Sequence, residues 1–321
     1  MIAVTFGRCL KAALVLLTVS LLAFALVDLA PGDYFDELRL NPALSQEAIE
    51  SLRQQYGLEE PMPLRYTRWV MTWLDGSWGF SLAHQRTAGP LIRERAANTM
   101  LLASIALVLT WSVAIPAAIW AVAGGRWRTR FLIGSASVIM SIPDLVIVLL
   151  LSVAAANSRW LPTGGMNSVG SEHFGAWGML ADAIRHLVVP VTALVLSMLP
   201  VVLLHAVHAV EEALQAPYIV AARLHGIGRM RILVRHVLPV AANPMITLAG
   251  VSTGTLLSSA VIVEAVSGWP GLGHLLLQSI QQRDMHVVLG VTVLSSVLLL
   301  IATTVADMLL YLADPRIRSR T

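Results

Sequence analysis

The sequence is poor in charge, in lysine and in cysteine, and each shortage excludes a class of function. Charged residues make up only 13% of the 321 positions, against roughly a quarter in soluble globular proteins, so they cannot cover a water-exposed surface. Lys11 is the only lysine and no glycine-rich stretch precedes it, so the chain lacks a P-loop for ATP. Cys9 is the only cysteine, which excludes an internal disulfide and a cysteine-based metal site.

Signs of an enzyme or of a nucleic-acid-binding protein are missing as well. No H-E-x-x-H metalloprotease motif occurs, and no serine is expected to lie in a G-x-S-x-G nucleophile elbow. The arginines are scattered among apolar stretches and form no basic domain. With 56% hydrophobic residues and a mean hydropathy of +0.73, the chain is expected to reside in a membrane.

Six apolar stretches are long enough to cross a membrane, since a helical crossing needs about 20 mainly apolar residues. They cover residues 9–29, 98–123, 131–155, 186–209, 240–266 and 287–312. The first could instead be a signal peptide, because Ala23-Phe24-Ala25 resembles a cleavage site, but the apolar run continues to Leu29. We therefore predict an all-α, polytopic membrane protein with six transmembrane helices.

The distribution of arginine predicts the orientation, because short cytoplasmic loops carry an excess of basic residues. With the N-terminus inside, the inner segments hold Arg8, Lys11, Arg126, Arg128, Arg130, Arg223, Arg229, Arg231, Arg235, Arg316, Arg318 and Arg320. The two short outer loops, 156–185 and 267–286, hold only Arg159, Arg185 and Arg283. Both termini are therefore expected to be cytoplasmic.

The long loop at 30–97 is expected to lie outside and to be structured. Ser45 can cap a helix that buries Ile49, Leu52 and Tyr56 on one face, and Gly57 can end it. The following EPMPLRYTRWVMTWLDGSWGFSL is rich in Trp and Tyr, which fits a membrane interface. The loop could be a packed cap without substrate contact, or it could take part in function.

The stretch EEALQAPYIVAARLHGIGRMRILVRHVLP, residues 211–239, is a basic insert between two apolar spans. Pro217 can start a helix over 217–225, and Gly226 can end it in a left-handed conformation. A second basic helix is predicted at 229–237, leading to the fifth span. The arginines could hold this loop to anionic lipid, or the loop could dock a cytoplasmic partner.

Within this insert, Ala221-Ala222, Gly226 and Leu238-Pro239 resemble the EAA loop of permeases of binding-protein-dependent ABC importers. The family pattern is EAA, three residues, G, nine residues, I, one residue and LP. Val220 replaces the glutamate and His236 the isoleucine. The peptide and nickel branch of the family usually lacks this glutamate and often has Arg-His at these positions, so the resemblance favours docking.

Other stretches resemble the same branch in the expected order. They are LAPGD at 29–33, YGLEEPMPLRYTRW at 56–69, SIP at 141–143, LPTGG at 161–165, VEAVSGWPGLGHLLLQSIQQRDMHVVLG at 263–290 and LADPRIR at 312–318. The long fifth stretch contains the outer-loop motif Glu264, Pro270, Gly271, Gly273, Arg283 and Asp284. The chain thus resembles the B-type permease subunit of dipeptide, oligopeptide and nickel importers over nearly its whole length.

This resemblance implies a type I importer permease fold in three regions. They are a first helix with an outer loop at 1–93, a core of spans 2–6 at 94–312 that includes the coupling segment 211–239, and a cytoplasmic tail at 313–321. It implies a second six-span permease, a paralogue, beside this chain, together with two ABC ATPases and an extracytoplasmic solute-binding protein. The implied location is the bacterial cytoplasmic (inner) membrane.

The resemblance also implies what each part does. The residues that would couple the chain to an ATPase are Pro217, Ala221, Ala222, Gly226, Arg229, Arg231, Arg235, Leu238 and Pro239. The chain itself would be no enzyme and would need no cofactor, since ATP is hydrolysed by its partners. The implied cargo is a peptide or a similar small solute. A secondary transporter is the alternative, although no inverted repeat is visible in the sequence.

Three carboxylates lie inside or at the ends of predicted spans, where unpaired charge is costly: Asp28, Asp144 and Asp307. Asp28 and Asp144 could simply reach water, but we predict that Asp144 lines the translocation path. Asp307 is expected to pair with an arginine. His205 and His208 share a helix face, yet a metal site needs further ligands, so no metal site is predicted.

Overall fold

The computed structural model describes residues 2–32, 34–35, 45–55, 57, 60–158 and 160–313. Its helices are α1 (Ile2–Leu29), α2 (Gln46–Gln55), α3 (Met62–Leu74), α4 (Ala88–Gly124), α5 (Arg126–Met140), α6 (Asp144–Asn157), α7 (Ala176–Leu214), α8 (Pro217–Leu224), α9 (Arg229–Ile232), α10 (Leu238–Ser267), α11 (Leu272–Gln281) and α12 (Met285–Ala313). A 3-10 turn covers Ser171–His173 and a π turn covers Leu233–Val237. Strands β1 (Phe80–Ser81) and β2 (Arg86–Thr87) pair antiparallel. The predicted helical class is confirmed.

The long apolar helices agree with the predicted spans. Among the described residues, five are long and apolar enough to cross a membrane, and one bent pair adds a sixth crossing if it counts as a single span. The five are Leu10–Leu29, Ala88–Gly124, Ala176–Leu214, Arg229–Ser267 and Met285–Tyr311. The predicted boundary at residues 93 and 94 falls inside α4, which is continuous. The predicted tail beyond Ala313 lies outside the described residues.

The predicted third span at 131–155 is divided into two helices in the structure. Helix α5 ends at Met140, α6 begins at Asp144, and the two helices meet at 89°. Pro143 accounts for the break, because proline disfavours a helical conformation in the preceding residue and has no N–H to donate. Its carbonyl instead accepts the first hydrogen bonds of α6, from the N–H of Val146 at 2.9 Å and of Ile147 at 3.1 Å.

The described residues belong to two compact units. The first unit comprises residues 1–99 and 270–300, and the second comprises residues 100–269 and 301–321.

In the first unit, aromatic side chains join α3 to α1. The Phe24 and Tyr66 rings meet edge to face with centroids 5.4 Å apart, and the Tyr66 and Ser20 hydroxyls share a hydrogen bond of 2.9 Å. Trp69 is buried against Phe24. Helix α2 buries Ile49 as predicted, whereas Tyr56 and the side chain of Leu52 lie outside the described residues.

In the second unit, α7 is the central helix and packs against α5, α6 and α10. Leu194, Met198 and Val202 on α7 are buried together with Leu256 and Ala260 on α10. Pro190 and Pro200 lie inside α7 and are buried. Helices in lipid tolerate such prolines when neighbouring residues satisfy the interrupted hydrogen bonds.

Small residues allow the closest approach between α10 and α12. A Cβ atom added to Gly250 would lie 2.4 Å from the Cβ of Ala306, which is far too close. Gly134, in the middle of α5, is also helical but has no atom within 4 Å of an added Cβ. The two positions differ in crowding, not in backbone conformation.

We therefore predict opposite effects for the same substitution at these glycines. Gly250→Ala should lower the free energy of unfolding by about 1–3 kcal/mol, because helices must separate to admit the methyl group. Gly134→Ala should raise it by up to about 1 kcal/mol, because alanine favours a helix. Thermal unfolding of the detergent-solubilised protein measures both. Shifts in the same direction would contradict close packing at Gly250.

Candidate functional site

Segment 211–239 folds into a short helix, a glycine turn and the start of a long helix. Helix α7 ends at Leu214, where the N–H groups of Gln215 and Ala216 donate to carbonyls of its last turn at 3.0 and 3.3 Å. Pro217 then begins α8 at a position where its missing N–H costs nothing. The observed helix agrees with the predicted 217–225 to within one residue.

Gly226 closes α8 in a left-handed turn, as predicted. Its φ is +75°, and the Ile227 N–H donates to the Ala222 carbonyl at 3.3 Å, the six-residue bond of a Schellman motif. The His225 N–H donates to Ala221 at 3.1 Å. A Cβ at Gly226 would meet nothing within 4 Å, so the backbone conformation alone demands glycine here.

This segment is anchored by buried side chains that the turn brings together. Ile219 from α8, Ile232 from α9 and Leu233 from the π turn are buried in one cluster with α7 residues such as Val210. Ala222 and Ile227 pack against the same cluster. The turn is therefore held at a fixed angle to α7 and α10.

The opposite side of the segment exposes apolar residues. Leu224, next to the turn, is 84% exposed, and Tyr218 and Met230 are about half exposed at 48% and 57%. Large apolar side chains therefore lie exposed beside the turn. The side chains of Val220 and Arg223 lie outside the described residues.

The predicted separate helix at 229–237 needs correction, because residues 229–267 form one continuous helix. Pro239 cannot donate to the carbonyl four residues earlier. The chain instead widens into a π turn, where the Leu238 N–H donates to the Leu233 carbonyl. Leu238 is half-buried and Pro239 is exposed, so this pair marks where the π turn passes into α10.

The three arginines of this helix differ in their surroundings. Arg229 donates through Nη2 to the Val122 carbonyl of α4 at 2.7 Å. This bond, between residues 107 positions apart, was not predicted. All three arginines are exposed. The bond of Arg229 fixes the turn against α4 at the surface of the second unit.

The outer-loop motif contributes to both units, and its first part belongs to the second unit. Glu264 and Trp269 are buried, and Gly268 ends α10 with a φ of +65°. A Cβ at Gly164 would lie 3.0 Å from the Ser267 carbonyl oxygen, which explains a glycine in the LPTGG stretch.

In the first unit, the motif is tied to α4 by hydrogen bonds. The Pro270 carbonyl accepts from Asn98 at 2.8 Å, and the Leu272 N–H donates to the Thr99 hydroxyl at 2.8 Å. Gly271 is extended and precedes α11, in which Gly273 is buried. These contacts give the glycines and the proline a structural role.

Asp284 joins two parts of the first unit. It is buried at the start of α12, where its Oδ1 accepts from the Val287 N–H at 3.4 Å. Its Oδ2 accepts from the Ser81 hydroxyl at 2.5 Å and from the Ala83 N–H at 3.3 Å. Arg283, just before it, has a φ of +54°. The carboxylate therefore caps a helix and holds the β1–β2 hairpin.

The other predicted candidates are distributed over both units. Asp28 pairs with Arg65 in the first unit. Asp144 accepts a hydrogen bond of 2.6 Å from the Ser259 hydroxyl in the second. Within the described part of the chain, no three His, Cys, Asp or Glu side chains converge to hold a metal ion, and His205 engages the Val201 carbonyl instead. The arginine pairing of Asp307 stays a prediction.

One motif was overlooked in the sequence. Residues 250–254 read GVSTG, which has the spacing of a nucleophile elbow. An elbow requires a sharp turn between a strand and a helix. Ser252 instead lies inside α10, and its hydroxyl donates to the Leu248 carbonyl at 2.7 Å. The match is therefore not a catalytic site.

Comparison with known proteins agrees with this arrangement over the whole chain. Residues 113–319 match the family described as binding-protein-dependent transport system inner membrane component, and residues 1–103 match the corresponding N-terminal family. The oligopeptide transport system permease protein AppB of Bacillus subtilis is 31% identical, with 99% of each chain covered. The dipeptide transport system permease protein DppB of Escherichia coli K12 is 28% identical, with 94% of each covered.

A solved structure shares the fold. The methionine ABC transporter MetNI in an inward-facing conformation gives a TM-score of 0.57 at 16% identity, over 70% of this chain and 96% of that one.

The bonds of Asp284 predict a large loss of stability when its carboxylate is removed. Asp284→Ala should lower the free energy of unfolding by about 1–3 kcal/mol, because buried donors lose their acceptor. Asp75→Ala is the matched control, since Asp75 is exposed and its carboxylate accepts hydrogen bonds from the nearby Ser77, including its N–H at 2.9 Å. Thermal unfolding in detergent measures both variants. Equally small losses would show that Asp284 does not hold the hairpin.

Proposed function

Since the chain belongs to the family of inner membrane components of binding-protein-dependent transport systems, we propose that it is a peptide-translocating subunit of an ABC importer. The multi-pass fold and the family place it in the inner membrane as a permease component. Peptide cargo, or a similar small solute, is supported by relatives named for oligopeptide and dipeptide transport that align along nearly their full length.

The energy for transport is supplied by two ABC ATPases, because the chain itself has no P-loop. We assign their docking to α8 and the turn at Gly226. The observation that carries this assignment is a rigid turn that exposes Leu224 while burying Ile219. A groove on an ATPase can receive such a turn, and Arg231 and Arg235 are available for acidic groups beside it.

Coupling then follows from how the turn is anchored. When ATP draws the two ATPases together, α8 moves with them. Ile219, Ile232 and Leu233 transmit that movement to α7 and α10, because these side chains are buried in one cluster. The conformation of the segment is maintained by Pro217, Ala221, Ala222, Gly226, Leu238 and Pro239. Through its hydrogen bond to Val122, Arg229 makes α4 move together with the segment.

The remaining partners follow from the family. A second six-span permease, a paralogue, encloses the path with residues 94–312 of this chain, and an extracytoplasmic solute-binding protein delivers the cargo. The path includes Asp144. Both termini and segment 211–239 face the cytoplasm, as the arginine distribution indicates.

Substitution of Gly226 tests coupling. Gly226→Val should fray or tilt α8, because a β-branched residue at this positive φ costs about 1–2 kcal/mol. The six spans should still insert and the complex should form. The stimulation of ATP hydrolysis by loaded binding protein should fall by about five- to thirtyfold, the factors that 1–2 kcal/mol represent, and peptide uptake should fall with it.

Gly228→Ala is the matched control, because Gly228 has an ordinary φ of −59° and open space around an added Cβ. It should transport normally. Normal uptake by Gly226→Val at normal expression would show that segment 211–239 only anchors the loop to lipid.

The proposed orientation is tested by thiol labelling. In a Cys9→Ser background, Val169→Cys and Leu224→Cys place single thiols at exposed sites before α7 and beside the turn. An impermeant maleimide applied to intact cells, with any outer membrane permeabilised, should label position 169. It should reach position 224 only after lysis and removal of the ATPases, which cover the turn in the proposed complex. Labelling of 224 from outside would reverse the orientation.

A further inference from the structure

A cavity in the second unit is lined by charges of both signs. It has a volume of about 350 Å³ and lies where the end of α7 meets the starts of α5 and α9. Its polar lining consists of Arg126 and Thr129 of α5, Glu211 and Gln215 from the end of α7, and Arg229 of α9. Sites for small molecules occupy roughly 300–1,000 Å³, so the cavity can receive a polar group of that kind.

The charged side chains of this cavity have hydrogen-bonding capacity to spare. Among the described side chains, neither Arg126 nor Glu211 forms an ion pair. Arg229 donates through Nη2 to the Val122 carbonyl at 2.7 Å, and a guanidinium group has five N–H donors. Opposite charges that face one cavity without pairing with each other can bind the two ends of a zwitterionic ligand.

Aromatic side chains indicate that the cavity lies at the level of lipid headgroups. The Trp127 and Phe131 rings stack with centroids 6.0 Å apart, and the two residues are 76% and 60% exposed. Gly134 and Val138 continue this exposed face along α5. Tryptophan is enriched where a membrane meets water, and an exposed apolar face at helical spacing suits acyl chains. Because Arg126 directly precedes Trp127, the polar cavity adjoins a surface suited to lipid.

We propose that this cavity binds the headgroup of phosphatidylethanolamine. Arg126 and Arg229 hold the phosphate, because arginine forms strong charge-assisted hydrogen bonds to phosphate oxygens. Glu211 holds the ammonium group, which brings three N–H donors and the opposite charge. A phosphate without a cationic end would leave the Glu211 carboxylate uncompensated beside it. The headgroup then lies against Arg229, the residue that fixes the Gly226 turn to α4.

The proposed orientation assigns this lipid to the cytoplasmic leaflet. Binding of the headgroup depends neither on the leaflet nor on the cargo. Thiol labelling at positions 169 and 224 tests the orientation separately, so a failure of either idea is recognised on its own.

Protection of a thiol in the cavity tests the site. In the assembled complex with Cys9→Ser, purified in detergent and stripped of lipid, Gln215→Cys places a thiol in the lining. Its reaction rate with N-ethylmaleimide is followed by the mass of the intact subunit while phosphatidylethanolamine or phosphatidylcholine is added. The lipid concentration that halves the rate should be at least about fivefold lower for phosphatidylethanolamine, because the trimethylammonium group of phosphatidylcholine has no N–H to donate.

Two pairs of substitutions separate the roles of the charges. Glu211→Gln should remove the difference between the two lipids, whereas Glu212→Gln, at an exposed neighbour outside the lining, should retain it. Arg126→Gln should raise both half-protecting concentrations at least about fivefold, because the phosphate loses a charge-assisted bond. Arg130→Gln, exposed on the same helix but outside the lining, should leave both unchanged.

Several results would overturn the site. They are no protection by either lipid, equal protection by both, or equal protection by phosphatidylglycerol, which lacks the ammonium group. A thiol at position 215 that is unreactive without lipid would mean that a partner subunit fills the cavity, which overturns the site equally. If Glu211→Gln does not assemble, the pair Arg126→Gln and Arg130→Gln decides, and equal effects of these two substitutions exclude a specific phosphate contact.

Discussion

Every backbone N–H and carbonyl group in the hydrocarbon layer needs a partner within the protein, because lipid offers none. This constraint explains how the chain places its prolines. Pro116, Pro190, Pro200 and Pro244 lie inside continuous helices. Pro239 lies just after a π turn, which accommodates its missing donor. Of these six prolines in the apolar stretches, Pro143 alone coincides with a complete break, and the structure there exposes a carboxylate and a new helix N-terminus. The coupling segment near Pro239 and the break before Asp144 are thus both sites where the helical hydrogen bonding is altered.

The glycine turns before and after the continuous helical stretch 229–267 have related roles but different physical causes. Gly226 has open space and is required by its φ alone, whereas Gly268 stands beside the Gly164 backbone and closes the helix against a loop. The first leaves a projecting turn with an exposed leucine, and the second leaves a packed corner. A glycine in a family motif can therefore allow a backbone conformation that exposes a turn, as at Gly226, or allow close packing against another segment, as at Gly268.

Local signals in the sequence were sufficient for α8 and its turn. Pro217, the two alanines and Gly226 act within a few residues of each other, so their spacing determines the structure. The same applies to the burial of Ile49 in α2. The break at Pro143 could not be predicted, because other prolines in similar apolar surroundings remain inside helices and tertiary packing decides between the outcomes.

Long-range contacts account for the rest of what the sequence did not reveal. The bond from Arg229 to Val122 and the bonds from Asp284 to Ser81 and Ala83 join residues that are far apart in the chain. No spacing rule connects such positions. The link between Asp144 and Ser259, 115 residues apart, belongs to the same group.

The continuity of residues 229–267 has a mechanical consequence. A helix of 39 residues is about 58 Å long, nearly twice the thickness of the hydrocarbon layer. A tilt of about 10° around its middle would move each end by about 5 Å in opposite directions, given that length. A displacement of the Gly226 turn would therefore be accompanied by a displacement of Gly268 and the adjoining Gly164 loop. A helix that tilts as one body can transmit a displacement from one side of the membrane to the other without any change in its own hydrogen bonds.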